Sequence, residues 1–254
     1  LITIECIDEI ADMQGLKPQV AAITEAAMRG ELDFAASLKQ RVALLEGLDA
    51  SALQRVYDER LKLSPGAETM LAAVQKAGLK TLLVSGGFTL FTALLKQRLG
   101  LDYTHANALE IVDGKLTGKV LGGIVDAEEK QRTVERVCAQ MGITPAQAIV
   151  MGDGANDLKM MGIAGLSVAF RAKPVVRSQA DVALNFVGLD GLLNVLSRVG
   201  AWRRAHDGIF LLYCKLVTTK LAHRERTPHA ATAARRDTTP PGLVCRRCAN
   251  GLRG

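Results

Sequence analysis

The chain has 254 residues, 48% of them hydrophobic and 23% charged, which is enough for a sizeable core and fits one α/β domain with a small insertion. Its net charge of +6 is not spread evenly: from Arg203 onward there are eleven Lys and Arg against three Asp and Glu, so the tail carries +8 and residues 1–202 carry −2. That split excludes a reading of the whole chain as a polycation. Five scattered cysteines, Cys6, Cys138, Cys214, Cys245 and Cys248, have no framework spacing and exclude a disulfide scaffold, and the longest apolar run of the tail, 209–214, is too short to cross a membrane.

From Glu5 to about Leu61 the apolar residues recur at helical spacing: Ile7, Ile10 and Ala11, then Val20, Ile23 and Ala27, then Leu38, Val42 and Leu45. Ser64-Pro65-Gly66 opens a further helix that runs to Ala77 and is stopped by Gly78. Residues 79–84, Leu-Lys-Thr-Leu-Leu-Val, read as a buried strand that runs straight into Ser85-Gly86-Gly87 and a helix starting near Thr89. A serine hydroxyl and consecutive glycine amides at a helix start make an anion pocket, although the same three residues also suit a plain glycine turn. Residues 110–112 and 116–119 flank Asp113-Gly114, a two-residue hairpin signal. Lys130 then stands in the first turn of an amphipathic helix that places Val134, Val137, Cys138 and Met141 on one face; alone it is an ordinary surface lysine.

The apolar run 148–151 is predicted as a second buried strand, and Gly152-Asp153-Gly154-Ala155-Asn156-Asp157 follows it directly. Ligands of open α/β sheets bind beyond the carboxyl ends of the strands, and acidic residues there suit Mg²⁺ and phosphate chemistry. Taken alone, the hexapeptide is equally a polar turn before a helix beginning near Leu158. A helix to about Ala164, a strand at 166–170 and a final helix at 189–197 complete the pattern. Strands alternating with helices imply a parallel sheet. The tail beyond contains Trp202-Arg203-Arg204 and Thr238-Thr239-Pro240-Pro241; its arginine-rich, proline-containing composition reads as disordered or non-native sequence, with a nucleic-acid-binding extension as the weaker alternative. Cys245 and Cys248 with His223 and His229 match no standard zinc spacing.

Val84-Ser85-Gly86-Gly87-Phe88, the later Lys130 and Gly152-Asp153-Gly154-Ala155-Asn156-Asp157-Leu158-Lys159-Met160 together resemble the second, third and fourth motifs of the haloacid dehalogenase superfamily. Within it the chain resembles the phosphoserine phosphatases from residue 1 to about 198, through Glu5-Cys6-Ile7-Asp8-Glu9, Ala26-Ala27-Met28-Arg29-Gly30, Asp33-Phe34, Ser37-Leu38-Lys39-Gln40-Arg41 and Ala172-Lys173-Pro174. The resemblance implies a Rossmann-like parallel sheet with a small helical cap, divided as a cap at 1–62, a phosphatase core at 63–199 and the basic tail at 200–254. It implies a Mg²⁺-dependent, cytoplasmic phosphomonoesterase of serine biosynthesis that hydrolyses O-phosphoserine, a small molecule, through an aspartyl-phosphate, with no membrane or nucleic acid partner and no indication of oligomeric state. It also assigns roles. Ser85 and Gly86 hold the phosphate, Lys130 neutralises it, Asp153 binds Mg²⁺, Asn156 positions substrate, and Asp157 orients the lysine or the metal-bound waters. In the cap, Glu5 takes the substrate ammonium, Arg41 its carboxylate, and Met28 and Phe34 line the same pocket.

One departure accompanies the match. The family opens its core with a strand ending in D-x-D-x-T followed by leucine, and this sequence starts at that leucine, Leu1. Neither aspartate of the motif is present, and the first is the family's nucleophile. The expectation is therefore a truncated and inactive record, with the first core strand missing, two open ladder edges in mid-sheet and a poorly soluble or partly molten chain. Two alternatives stay open: a phosphate- or phosphoserine-binding remnant without turnover, and a related small-molecule phosphatase.

Overall fold

The computed structural model describes residues 1–198 and 210–213. Four helices come first: α1 (Cys6–Met13), α2 (Lys17–Met28), α3 (Phe34–Ala43) and α4 (Ser51–Glu59). Asp33 starts α3 by accepting the Ala36 N–H on its side chain at 2.6 Å, an N-cap that satisfies one orphan amide. Ile7, Ile10, Ala11, Val20, Leu38, Val42 and Leu45 are buried, while Ile23 and Ala27 on α2 are only half-buried. Backbone hydrogen bonds from Thr3 N to Lys62 O and from Ser64 N to Leu1 O bring the start and end of this helical segment side by side.

The remainder alternates strands and helices, with α9, β6 and β7 beyond those predicted: α5 (Ala67–Lys76), β1 (Lys80–Phe88), α6 (Thr89–Leu99), β2 (Tyr103–Val112), β3 (Lys115–Leu121), α7 (Ala127–Gln140), β4 (Ala148–Gly152), α8 (Leu158–Gly162), β5 (Leu166–Phe170), α9 (Pro174–Arg177), β6 (Val182–Leu184), α10 (Gly191–Arg198) and β7 (Phe210–Tyr213). Asp113 and Gly114 both have positive φ, 48° and 75°, as the tight turn between β2 and β3 requires. Residues on successive positions of each strand face opposite sides. Leu83, Ile149, Met151 and Val168 join one core with α1, α3, α4, α5, α6 and α10, whereas Leu82, Val84, Val150 and Ala169 join a second core with α7, α8 and α9. The sheet is thus covered on both faces, as a parallel sheet must be.

The sheet order is β3-β2-β1-β7-β4-β5-β6, parallel throughout except for β3 against β2. This corrects the expectation of two open ladder edges. The place between β1 and β4 is filled by β7, from the tail: Lys80 to Leu83 pair with Phe210 to Tyr213, and Ala148 to Met151 pair with the same four residues. The tail was read as disordered or non-native throughout, yet four of its apolar residues form the central strand. An unpaired ladder buried under helices leaves amides and carbonyls unsatisfied, and any segment able to go extended there removes that cost. The other parts of the tail reading, including the cysteine and histidine residues beyond 213, lie outside the described residues.

Candidate active site

The carboxyl ends of β1 and β4 emerge on the same edge of the sheet with β7 between them, hence about 10 Å apart at the usual strand spacing. At the β4 end, Asp157 folds back beneath the loop. One carboxylate oxygen accepts the N–H groups of Asp153 (3.0 Å) and Gly154 (3.1 Å), and the other accepts Lys130 Nζ at 2.9 Å. Both side chains of this pair are fully buried. Lys130 arrives from the first turn of α7, which Asp126 caps by accepting the Glu129 N–H at 2.8 Å. Gly152 is required here, because a Cβ at that position would stand 2.5 Å from Asp157 Cβ. Asp153 is half-buried at the mouth, its carbonyl accepting the Lys173 N–H at 3.1 Å. Asn156 carries a buried Nδ2 with no hydrogen-bond partner.

At the β1 end the strand departs from its ladder. Val84 pairs with His105 and Phe88 with Asn107, so Ser85, Gly86 and Gly87 all stand opposite Ala106 and bulge out. The Gly87 N–H donates to Ser85 Oγ at 3.0 Å, which fixes the hydroxyl. This bulge forms the floor of a cleft of about 480 Å³, open solvent at its mouth included, whose walls are Glu5, Cys6 and Ile7 of the α1 region and Phe34, Leu38 and Arg41 of α3. Arg41 is 2% exposed; its Nε donates weakly to Ser37 O at 3.4 Å, and its Nη1 has no hydrogen-bond partner. Burial lowers the pKa of this guanidinium, with Glu5 and Asp8 acting in the opposite sense. Asp8, one turn along α1 from Glu5, has its carboxyl pKa raised by burial, with Arg41 first and Glu5 next opposing the rise.

The cleft gathers Glu5, Phe34, Arg41, Ser85 and Gly86. Met28 is not with them: it is 57% exposed at the end of α2 and is not among the cleft's walls. The family resemblance had placed it in the pocket; here it is the last residue of α2 and faces solvent. Lys130, Asp153, Asn156 and Asp157 form the separate β4 cluster. Among the described residues, no group of three or more His, Cys, Asp or Glu is placed to hold a metal ion on its own. A single carboxylate, Asp153, at the strand mouth fits Mg²⁺ only in the manner in which that ion is often held, through one or two carboxylates with water and substrate phosphate completing the shell.

Sequence reading missed two groups. Asp8 entered only as part of the run Glu5-Cys6-Ile7-Asp8-Glu9 and was given no role of its own. Asn107 is 1% exposed in mid-strand, where asparagine is depleted, and that oddity was its only signal.

A Ser-Gly-Gly bulge at one parallel-strand end with helices α1 and α3 walling its cleft, and a buried lysine with an acidic loop at another strand end, are the arrangement of an α/β hydrolase. The family model for haloacid dehalogenase-like hydrolases matches residues 7–162. The chain belongs to that family and, within it, to the phosphoserine phosphatase branch. A phosphoserine phosphatase from Polaromonas sp. is 58% identical over 201 residues, covering 77% of this chain and 85% of the relative. The unliganded crystal structure of a probable phosphoserine phosphatase from Vibrio cholerae superposes with a TM-score of 0.73 at 43% identity, covering 79% of this chain and 62% of that one. A substrate-bound phosphoserine phosphatase complex does so with a TM-score of 0.71 at 37% identity, covering 77% of this chain and 92% of that one.

Proposed function

We propose that this chain binds O-phospho-L-serine across the two strand ends and serves its hydrolysis to serine and phosphate, within serine biosynthesis. The observation that carries the reading is Arg41: a guanidinium, 2% exposed, whose Nη1 lacks a partner, lining one cleft with Glu5, Ser85 and Gly86. A buried cation without its hydrogen bonds costs free energy unless a ligand completes them, and a carboxylate is the planar, two-oxygen group that its fork fits. Glu5 across the cleft suits the ammonium. The phosphate then falls to Ser85 Oγ and the amides of the bulge. Lys130, held by Asp157, supplies positive charge beside it. Asp153 and the phosphate oxygens would hold Mg²⁺, which neutralises charge developing on the phosphoryl group. Asn156 Nδ2 is a further donor toward the substrate.

Residues 1–254 contain no D-x-D-x-T, so the aspartate that would take the phosphoryl group is not among them. Binding and orientation are therefore the functions we assign to these residues, and turnover to the same residues together with a D-x-D-x-T strand that takes the place β7 holds between β1 and β4. The division into a cap at 1–62, a core at 63–199 and a tail from 200 is part of the proposal, as is a cytoplasmic setting, which suits the buried thiol of Cys138. No helix of the described residues is long and apolar enough to cross a membrane.

The test is selectivity. Arg41→Ala should weaken O-phosphoserine binding about ten- to a hundredfold, the value of a charge-assisted hydrogen-bonded pair, and leave O-phosphoethanolamine, which lacks the carboxylate, little changed. Equal losses on both ligands would remove the carboxylate-binding role and favour a related phosphatase with another small substrate. Turnover measured with and without an added upstream D-x-D-x-T strand separates the enzyme from a binding remnant; phosphate release by residues 1–254 alone would refute the assignment of the nucleophile to that strand.

A further inference from the structure

The bulge at the end of β1 is held by a side chain that none of the roles above uses. Two surplus residues interrupt the register of β1 against β2 at Ser85-Gly86-Gly87, and Asn107 of β2 reaches two carbonyls of that stretch: its Nδ2 donates to Gly86 O at 2.6 Å and to Gly87 O at 3.3 Å. Its Oδ1 accepts the Val125 N–H at 2.8 Å. In a trans peptide the C=O and N–H point in opposite directions, so tying these carbonyls back toward β2 turns the Gly87 and Phe88 N–H groups away from it. The Gly87 N–H goes to Ser85 Oγ, the hydroxyl at the floor of the cleft.

The other end of the clamp matters as much. Val125 immediately precedes Asp126, the N-cap of α7, whose carbonyl accepts the Lys130 N–H at 3.0 Å. From Lys130 the contacts continue to Asp157 and on to the Asp153 and Gly154 amides. One buried amide thus joins the anion loop to the helix that carries the lysine and, through it, to the acidic loop. We infer that Asn107 is a positioning residue: by holding the Ser85-Gly86-Gly87 bulge against the start of α7, it sets the anion-binding donors of β1 in register with Lys130. The inference rests on the phosphate-binding reading of that loop.

A buried asparagine that served only stability would behave differently from a clamp, and substitutions tell them apart. Asn107→Asp keeps the size and the acceptor for Val125 but replaces both donors; Asn107→Ala removes everything. In the full chain, Asn107→Ala should weaken binding of inorganic phosphate, titrated at fixed ionic strength, by about tenfold or more. Val195→Ala, a core truncation on α10, is the control: it should lower the melting temperature and leave phosphate affinity unchanged. If Asn107→Ala melts lower in the same way and binds phosphate within about twofold of the parent, the residue is structural only and the inference fails. Amide hydrogen exchange gives a reading independent of any ligand. Asn107→Asp should lose protection at Gly87 and keep it at Val125, while Asn107→Ala loses both. Unchanged protection at Gly87 in both variants overturns the clamp. Should the parent chain not bind phosphate at all, the binding reading falls, and the exchange pattern alone then decides whether Asn107 holds the bulge.

Discussion

The two ends of the site are built on opposite principles. At the β4 end, Lys130 and Asp157 are wholly buried and face each other at 2.9 Å, with the remaining Asp157 oxygen filled by two backbone amides. Beneath α1 and α3, Arg41 is nearly as deep, yet its Nη1 and a carboxylate oxygen of Asp8 are buried without hydrogen-bond partners. A closed network specifies its own geometry, whereas an open one leaves its completion to something that enters. The β4 end is thus a frame that holds its loop in place with or without a ligand, and the cap side is a socket.

The largest effect should come from the element both ends share. Leu212→Pro removes an amide from the middle of β7, which pairs on both sides with β1 and β4, and a central strand has no position that tolerates proline. Loss of a cooperative melt together with loss of O-phosphoserine binding is expected; a variant that melts like the parent would mean that β7 adds nothing to the sheet. Next, Lys130→Met leaves Asp157 buried without its partner and should cost about 3–5 kcal/mol in denaturant unfolding. Arg41→Met is the matching change in the socket. It removes a guanidinium whose burial is only partly compensated, and its cost should be about 1 kcal/mol or less. Equal costs for the two would erase the distinction between frame and socket.

The sequence made the frame legible, and most of the socket. Glycine and aspartate after an apolar run, and serine with two glycines after another, mark strand ends because few other residues tolerate such turns and such close approach, and Gly152-Asp153 stands at the end of β4 and Ser85-Gly86-Gly87 in the bulge just before the end of β1. Helical spacing found the buried faces of α1 and α3 for the same physical reason. Met28, placed in the pocket by the family resemblance, stands exposed at the end of α2, because a motif match carries no mark of which way that end of the helix faces. β7 was invisible for a different reason. The run 209–214 was weighed only as a membrane span, and a six-residue apolar stretch says nothing about where it inserts until a vacant ladder between β1 and β4 takes it in. Asn107 needed the register shift of β1, a fact of tertiary pairing that local pattern does not contain.

The smallest effects are those of pH, and a histidine packed against α7 and an aspartate of the socket should show them with opposite signs. His105 on β2 meets Glu129 of α7 at 3.2 Å; burial lowers its pKa from 6.5, with Arg136 adding to that and Glu129 opposing it. The unfolded chain then binds the proton more readily, so this group costs stability as pH falls below about 6.5. Asp8, in the socket, has its pKa raised above 3.8, chiefly by burial. Here the folded chain holds the proton more tightly, so the contribution declines as pH rises from 3.8 through the folded value. Melting temperatures of His105→Gln and Asp8→Asn, recorded from pH 4 to pH 7.5, should therefore diverge from the parent in opposite directions: the histidine variant loses less on acidification, and the aspartate variant loses less on the climb toward neutrality. Parallel curves for both variants would show that neither burial is large enough to couple protonation to folding. A ligand-dependent change confined to the Asp8 curve would place the titration where O-phosphoserine sits, because a bound ammonium and carboxylate alter the charges around Asp8 and leave those around His105 as they were.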